Sequence, residues 1–234
     1  MSINKNVKVV ILAAGMSSRL KSSVPKPLIS LKDEKSILDF QLENISKYIP
    51  IDNIFLVVGF KKELIMEKYP DLIYVYNNSY AFTNTGKSLL RALKKTNSDT
   101  IWLNGDIVFD DRILKKLLHS KDSAIVVDVK ECGEEEVKYT VNNDDHILGI
   151  SKEIKNAKGE ALGINLIKNK DILQLIKHLE GVNDHDYFEK AIENMIKKDK
   201  SKFKAVYTDG MFCKEIDFTQ DLKETIEYVK IKLT

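Results

Sequence analysis

The stretch VVILAAGMSSRLKSSVPKPL, residues 9–28, decides how the rest of the chain is read. Its first six residues, Val9-Val10-Ile11-Leu12-Ala13-Ala14, are apolar without alternation. Such a strand is covered on both faces, as in a parallel sheet with helices above and below. The stretch then switches to Gly15, two serines, Arg19 and Lys26, the last between Pro25 and Pro27. In an open α/β sheet, ligands bind beyond the carboxyl ends of the strands. Glycine permits close backbone approach, and neighbouring N–H groups can face an anion. The planar fork of Arg19 matches phosphate, while Lys26 is a compact charge. Pro25 and Pro27 each fix φ and so limit where Lys26 can go. The residues read as a polyphosphate loop, with an ordinary surface loop as the alternative. The pattern is not the dinucleotide fingerprint G-x-G-x-x-G, because Gly15 stands alone.

Working outward, short apolar runs alternate with amphipathic stretches. Strands are expected over residues 8–14, 53–58, 72–76, 100–103 and 123–129. Between them, helical spacing predicts a helix capped by Ser36 and helices over 62–68, 86–95 and 111–118. This alternation implies a mostly parallel sheet with helices on both faces, a Rossmann-like α/β fold. The pattern then changes. Shorter, more polar strands are expected at 135–141 and 146–151 around a turn at 142–145, and another at 159–167. Helices over 170–179 and 184–198, strands at 204–207 and in FCKEIDF, and a closing helix over 219–232 complete the chain. No linker rich in Pro, Gly or Ser divides these parts. One domain over residues 1–234 is expected, about 1–130 binding nucleotide and about 131–234 binding an acceptor.

Composition narrows the function classes. The 234 residues, 43% of them hydrophobic, suffice for a substantial core, and a net charge of +2 gives no overall case for nucleic acid. The lysine-rich IKKDKSKFK, residues 196–204, reads as a solvated helix end and turn. No apolar run approaches the roughly 20 residues of a membrane span. The start, MSINKNVKVV, lacks the regions of a signal peptide. Cys132 and Cys213 read as reduced thiols, and His119, His146, His178 and His185 have no partner at metal-ligand spacing. A cytoplasmic enzyme is expected.

Two aspartates stand at strand ends: Asp106 after IWLNGD, and Asp217 in EIDFTQDL. Mg²⁺ is commonly held by one or two carboxylates plus phosphates and waters, which suits such a pair. A turn residue at Asp106 and a helix-start residue at Asp217 are the alternatives. Asp221 fits the first turn of the closing helix. AFTNTGKS, residues 81–88, nearly matches the P-loop G-x-x-x-x-G-K-[ST], but Ala81 replaces the first glycine. It also lies at the third strand–helix junction, with a better phosphate loop already on the first. Asn84 and Ser88 are expected to face the nucleotide, with Lys87 as an accessory; capping by Asn84 or Thr85 is the alternative.

Leu12-Ala13-Ala14-Gly15, Ser18-Arg19 and Pro25-Lys26-Pro27 closely resemble the signature L-A-A-G-x-x-x-R…P-K-P of the nucleotidyltransferases that make activated sugars and alcohols. With Asp106 and EIDFTQDL, the resemblance spans nearly the whole chain. YNNSYAFTNTGKSLLRAL and ALGINLI look most like the cytidylyltransferases of bacterial surface-polysaccharide pathways, typified by choline-phosphate cytidylyltransferase. The resemblance implies a nucleotidyltransferase (GT-A-like) fold. It implies that Leu12, Ala13, Ala14 and Gly15 hold base and ribose, with Ser17, Ser18 and Gly105 nearby. Arg19 would bind the β- and γ-phosphates, Lys26 the α-phosphate and incoming phosphate, and Asp106 and Asp217 the Mg²⁺ cofactor. Where the sugar-nucleotide enzymes carry Gln and then a Gly-rich loop, this chain has residues 77–85, which favours a pyrimidine.

The expected reaction joins CMP from CTP to a small phosphorylated amine or alcohol, releasing pyrophosphate. Phosphocholine, phosphoethanolamine, an aminophosphonate and a phosphoglutamine-like amide are the acceptors considered. Acceptor contacts are sought at Lys152, Gly163, Asn165, Tyr187, Glu189 and Glu215, although Tyr187 and Phe188 equally suit a core and Glu189 a solvated helix. A carboxylate or aromatic there could receive an ammonium group. A UTP- or dTTP-dependent sugar-1-phosphate transferase is the second enzyme reading. A catalytically silent nucleotide-binding subunit is the reading of another class.

Overall fold

A computed structural model describes residues 4, 6–16 and 23–232 of the chain. Ser17, Ser18 and Arg19 lie outside the described residues. In chain order the elements are β1 (Lys8–Ala13), β2 (Ser30–Lys32), β3 (Lys35–Ser36), α1 (Ile37–Ser46), β4 (Ile54–Val58), α2 (Lys62–Lys68), β5 (Ile73–Tyr76), α3 (Thr85–Leu93), β6 (Thr100–Asn104), β7 (Ile107–Phe109) and α4 (Arg112–Leu118). They continue with β8 (Ser123–Asp128), β9 (Lys138–Val141), β10 (Ile147–Ser151), β11 (Gly159–Ile167), α5 (Asn169–Gly181), α6 (Phe188–Asp199), β12 (Phe203–Tyr207), β13 (Cys213–Glu215) and α7 (Thr219–Lys232).

The main sheet runs β12-β8-β11-β6-β1-β4-β5. All of these strands are parallel except β11, which runs against its neighbours β6 and β8. The β9–β10 hairpin joins the first residues of β11, at Gly159 and Glu160, beyond the stretch that pairs with β6. The fold is thus an α/β sheet, mostly parallel and mixed, as the alternation of strands and helices implies. β1 lies at its centre between β4 and β6, so every one of its side chains must find an apolar layer. Val10 and Leu12 pack with α3, α5 and α6; Val9, Ile11 and Ala13 pack with α1, α2 and α4. Trp102 of β6 is fully buried and meets the Phe188 ring edge-on at 5.6 Å. Burying a large apolar side chain contributes about 1.5–3 kcal/mol, so the two faces of β1 and β6 carry much of the core.

Ser36 caps α1 as expected. Its Oγ accepts from the Asp39 backbone N–H, and Asp39 Oδ2 accepts from that of Ser36, a capping box that contributes about 1 kcal/mol. Two features depart from the sequence reading. The segment after Asp106 continues as β7, pairing with β13 in a separate two-stranded sheet; β2 and β3 form another. Helix α6 begins at Phe188, four residues later than the periodicity indicated, because residues 184–186 pack on α3 instead. Among the described residues no helix is long and apolar enough to cross a membrane.

Candidate active site

The carboxyl ends of β1 and β6 open into a cleft of about 730 Å³. A backbone bond from Gly105 N–H to Leu12 O, 2.9 Å, ties the two strand ends together. Gly105 has to be glycine for this approach, since a Cβ would stand 2.7 Å from Leu12 O and 3.2 Å from Ala13 Cα. Gly15 differs. A Cβ there would meet nothing within 4 Å among the described residues.

Three charged residues from distant segments converge here. Lys26, in a short 3-10 turn with Pro27 in its first turn, donates through Nζ to Asp106 Oδ2 at 2.8 Å and to Asp217 Oδ1 at 2.5 Å. Asp106 is delivered by the turn after β6. Asp217 follows β13, which the Ile216 N–H fastens to the Asp106 carbonyl at 2.9 Å. Burial works against the Lys26 ammonium, but the two carboxylates outweigh it and hold its pKa above the ordinary value. Asp221, in the first turn of α7, accepts from the Phe218 N–H and steadies the chain next to Asp217. Beneath the cleft, the buried amide of Gln41 donates to the carbonyls of Asn104 (2.9 Å) and Ile107 (2.8 Å), pinning both sides of the Asp106 turn. Periodicity marks Gln41 only as one position on the inward face of α1.

The fit of this point to a divalent cation can be judged from the donor set. Asp106 and Asp217 already converge on one cation, the Lys26 ammonium. Two carboxylate oxygens facing one point suit a hard, oxygen-ligated ion such as Mg²⁺. Among the described residues no cluster of three or more His, Cys, Asp or Glu side chains is poised to hold a metal, so phosphate oxygens and water would complete the shell.

The other end of the cleft is lined by Lys152, Tyr187, Glu189 and Glu215. Glu189, in the first turn of α6, is only 9% exposed, and its Oε2 is buried without a hydrogen-bond partner among the described residues. Burial pushes its carboxyl up to about 7, partly offset by Lys152. Glu215 is raised as well, chiefly by burial and then by Asp106. Its Oε1 accepts from Asn104 Nδ2 at 2.6 Å. That contact depends on Gly163, whose φ is +61° and whose missing Cβ would overlap Glu215 Oε1. Lys152 Nζ stands 5.1 Å over the Tyr187 ring.

Several expected contacts are placed differently. Asn165 does not line the cleft; it sits on β11 beside Trp102, 1% exposed and within the sheet. Gly163 acts as the backbone beneath Glu215 instead of a wall of the cleft. Asn84 and Ser88 do line it, but Asn84 caps α3 and Ser88 Oγ accepts from the buried Asn77 amide. Lys87 turns away and donates to the carbonyls of Leu179, Glu180 and Val182 at the end of α5, which removes it as a nucleotide contact. A cation there complements the last carbonyls of that helix. Asn104 is one of the polar cleft residues that no motif marks. Its place beside Asp106 was visible, but its partner lies 111 residues away.

Residues 9–183 match the MobA-like NTP transferase domain. The chain belongs to that family. The chain is 31% identical over 210 residues to D-glycero-alpha-D-manno-heptose 1-phosphate guanylyltransferase of Campylobacter jejuni, a match covering 85% of this chain and 89% of that protein. It is 30% identical over 230 residues to the bifunctional protein GlmU of Methanococcus maripaludis, covering 95% of this chain and 47% of that one. The chain thus spans about half the length of that relative. Among solved structures, the fold is similar to CTP:phosphocholine cytidylyltransferase from Streptococcus pneumoniae, with a TM-score of 0.79 and 21% identity over 96% of this chain and 99% of that one. It is also similar to the inositol-1-phosphate CTP transferase from T. maritima, with a TM-score of 0.77 and 17% identity over 97% and 96% of the two chains. Of the sequence signature, Leu12, Ala13, Ala14, Gly15, Lys26 and Pro27 line the cleft where β1 and β6 end.

Proposed function

We propose that this protein is a Mg²⁺-dependent nucleotidyltransferase that moves CMP from CTP to a small phosphorylated amine or alcohol. The observation that carries this is the convergence of Lys26, Asp106 and Asp217 where the Gly15 and Gly105 backbones meet the cleft. The acceptor's phosphate oxygen attacks the α-phosphorus and pyrophosphate departs. That oxygen is already anionic, so the reaction needs no strong base and depends on positioning and charge neutralisation. Lys26 would turn from its carboxylates toward the α-phosphate, with Arg19 on the outer phosphates. Mg²⁺, held by Asp106 and Asp217, would supply further neutralisation of phosphate charge. One domain serves both substrates, residues 1–130 for nucleotide and 131–234 for acceptor, and a cytoplasmic setting would supply CTP.

The choice of a pyrimidine is supported by the compact loop over residues 77–85, and cytosine follows from the resemblance. Asn77 is buried and donates to Thr83 Oγ1 and Ser88 Oγ, both at 3.0 Å, which draws this segment tight. A tight loop suits a pyrimidine. The second reading is a sugar-1-phosphate transferase using UTP or dTTP; its acceptor is supported by the matched heptose 1-phosphate enzyme, although that relative is named for guanylyl transfer. A silent binding subunit fits less well, because Lys26, Asp106 and Asp217 are all in place and mutually engaged. Pyrophosphate release should be measured with four nucleoside triphosphates against phosphorylated amines, alcohols and sugar 1-phosphates. The fastest pair should contain CTP. UTP with a sugar phosphate outrunning every CTP pair would replace this reading with the second, and CTP binding without any pyrophosphate release would favour the silent subunit.

A further inference from the structure

The geometry points to an acceptor whose head group is a primary ammonium, received by Glu189, Glu215 and Asn104. The inference rests on the proposed transfer reaction and narrows its second substrate.

Two buried oxygens at this end of the cleft have no donor among the described residues: Glu189 Oε2 and Asn104 Oδ1. Glu215 stands between them in the chemistry, held at Oε1 by the Asn104 amide. Lys152 does not complete Glu189; its Nζ lies over the Tyr187 ring and donates to Glu135 Oε2 at 3.4 Å. A buried acceptor left without a donor costs about 1–3 kcal/mol, and more when charged. Native proteins keep few such groups, and one that lines a cleft marks where a ligand completes the set. The wall is also built for its carboxylate, since only a glycine at position 163 leaves room for Glu215.

What completes the set must bring donors. A hydroxyl brings one donor and no charge. A primary ammonium brings three N–H groups and a positive charge, which matches two carboxyls and an amide oxygen. A trimethylammonium brings the charge but no donor, and is received by open aromatic faces. Here the Tyr187 face is already under Lys152, Phe188 is buried against Trp102, and Phe218 stands more than half exposed at the rim. A quaternary head would leave both orphan oxygens as they are.

The test is a methylation series on the intact protein. 2-Aminoethyl phosphate and its N-methyl, N,N-dimethyl and N,N,N-trimethyl forms are titrated calorimetrically with a CTP analogue carrying a methylene bridge between the α- and β-phosphorus. 2-Hydroxyethyl phosphate and glucose 1-phosphate complete the panel. Affinity should fall at each methylation, by about 10-fold or more from the primary to the quaternary amine, and the hydroxyl analogue should bind about 10-fold or more below the primary amine. Glu189→Gln should raise KM for 2-aminoethyl phosphate by a similar factor, leave KM for CTP unchanged, and flatten the series. Equal or tighter binding of the trimethyl form, of the hydroxyl analogue or of glucose 1-phosphate overturns the inference, as does failure of the whole amine series to bind. The wild-type series decides even where the variant does not fold. If the amine ranking holds but turnover requires UTP or GTP, the cytidylyl reading falls and this one stands.

Discussion

At the proposed nucleotide end of the cleft, Lys26 donates to both Asp106 and Asp217, so both carboxylates meet an internal counter-charge. At the proposed acceptor end, Glu189 keeps a buried oxygen without a donor among the described residues, and Glu215 is held by a neutral amide. Neutralised charges can be held in place before substrate arrives, which is the condition for stabilising a transition state. Unneutralised buried charges are costly while they wait, and a ligand that supplies the missing donor relieves that cost. The first end should therefore report on kcat, and the second on acceptor KM and on pH-dependent stability.

The largest effect is expected from Asp106→Ala and Asp217→Ala. Each should lower turnover by about 10³-fold or more, near the upper end of what loss of one preorganised stabilising group causes, and circular dichroism should show the fold retained. Titrating activity against Mg²⁺ for each variant checks this; wild-type turnover and metal dependence in either would remove that residue from the site. Lys26→Ala comes next. If the ammonium acts mainly as the α-phosphorus becomes five-coordinate, kcat falls by about 10²–10³-fold, or about 3–4 kcal/mol, while CTP affinity falls much less. Arg19→Ala should show the opposite division, with more of its defect in CTP binding. A Lys26 variant that loses CTP affinity and keeps kcat would make the lysine a ground-state clamp, and the contrast between the two ends would collapse.

Legibility in the sequence follows the range of the interactions. The central strand was readable because a strand buried on both faces has no alternation to hide, and residues 8–13 are such a strand. Lys26, Asp106 and Asp217 were readable because each sits in a motif that fixes its local backbone. Their convergence follows from strand ends sharing one edge of the sheet. Asn84, Ser88 and Lys87 look like a phosphate loop, yet their polar atoms are engaged in helix capping and a buried amide contact. Short-range pattern cannot tell a polar atom committed to the fold from one left for a ligand. The same limit hid Asn104 and Gln41, whose significance appears only with partners 111 and 63–66 residues distant. β13 falls within the strand expected in FCKEIDF, but its partner β7 is not marked in the sequence, because a three-residue strand carries almost no periodicity.

A smaller effect is expected from Glu189→Gln on stability. The wild-type carboxyl titrates near 7 in the folded chain and near 4.5 when unfolded. The folded state thus holds a proton that the unfolded state has released. The resulting stabilisation is full below about pH 4.5 and is lost as pH rises through 7, roughly 3 kcal/mol in all. Glutamine has no such term. Thermal unfolding of both proteins from about pH 5 to pH 8 should show wild type losing ground to the variant as pH rises. A gap that stays flat across this range would mean that the Glu189 carboxyl is ionised and compensated in the fold, and the acceptor end would no longer differ from the nucleotide end.

The smallest effect sharpens the comparison most, because it disturbs the acceptor end through the backbone alone. Gly163 has φ of +61°, where an L side chain costs roughly 1–2 kcal/mol, and its Cβ would overlap Glu215 Oε1 and approach Asn104 Nδ2 to 2.6 Å. Glu215 is a flexible side chain, so the fold survives by moving it. The Asn104–Glu215 bond is then lost, while Lys26, Asp106 and Asp217 keep their contacts. Gly163→Ala should lower stability by about 1–2 kcal/mol and raise acceptor KM, with CTP KM and Mg²⁺ dependence unchanged. Gly181→Ala, at the end of α5 where a Cβ meets nothing within 4 Å, is the control and should leave acceptor KM alone. If Gly163→Ala raises KM for CTP as much as for the acceptor, the two ends are mechanically one site, and the opposite handling of charge across the cleft does not separate two binding functions.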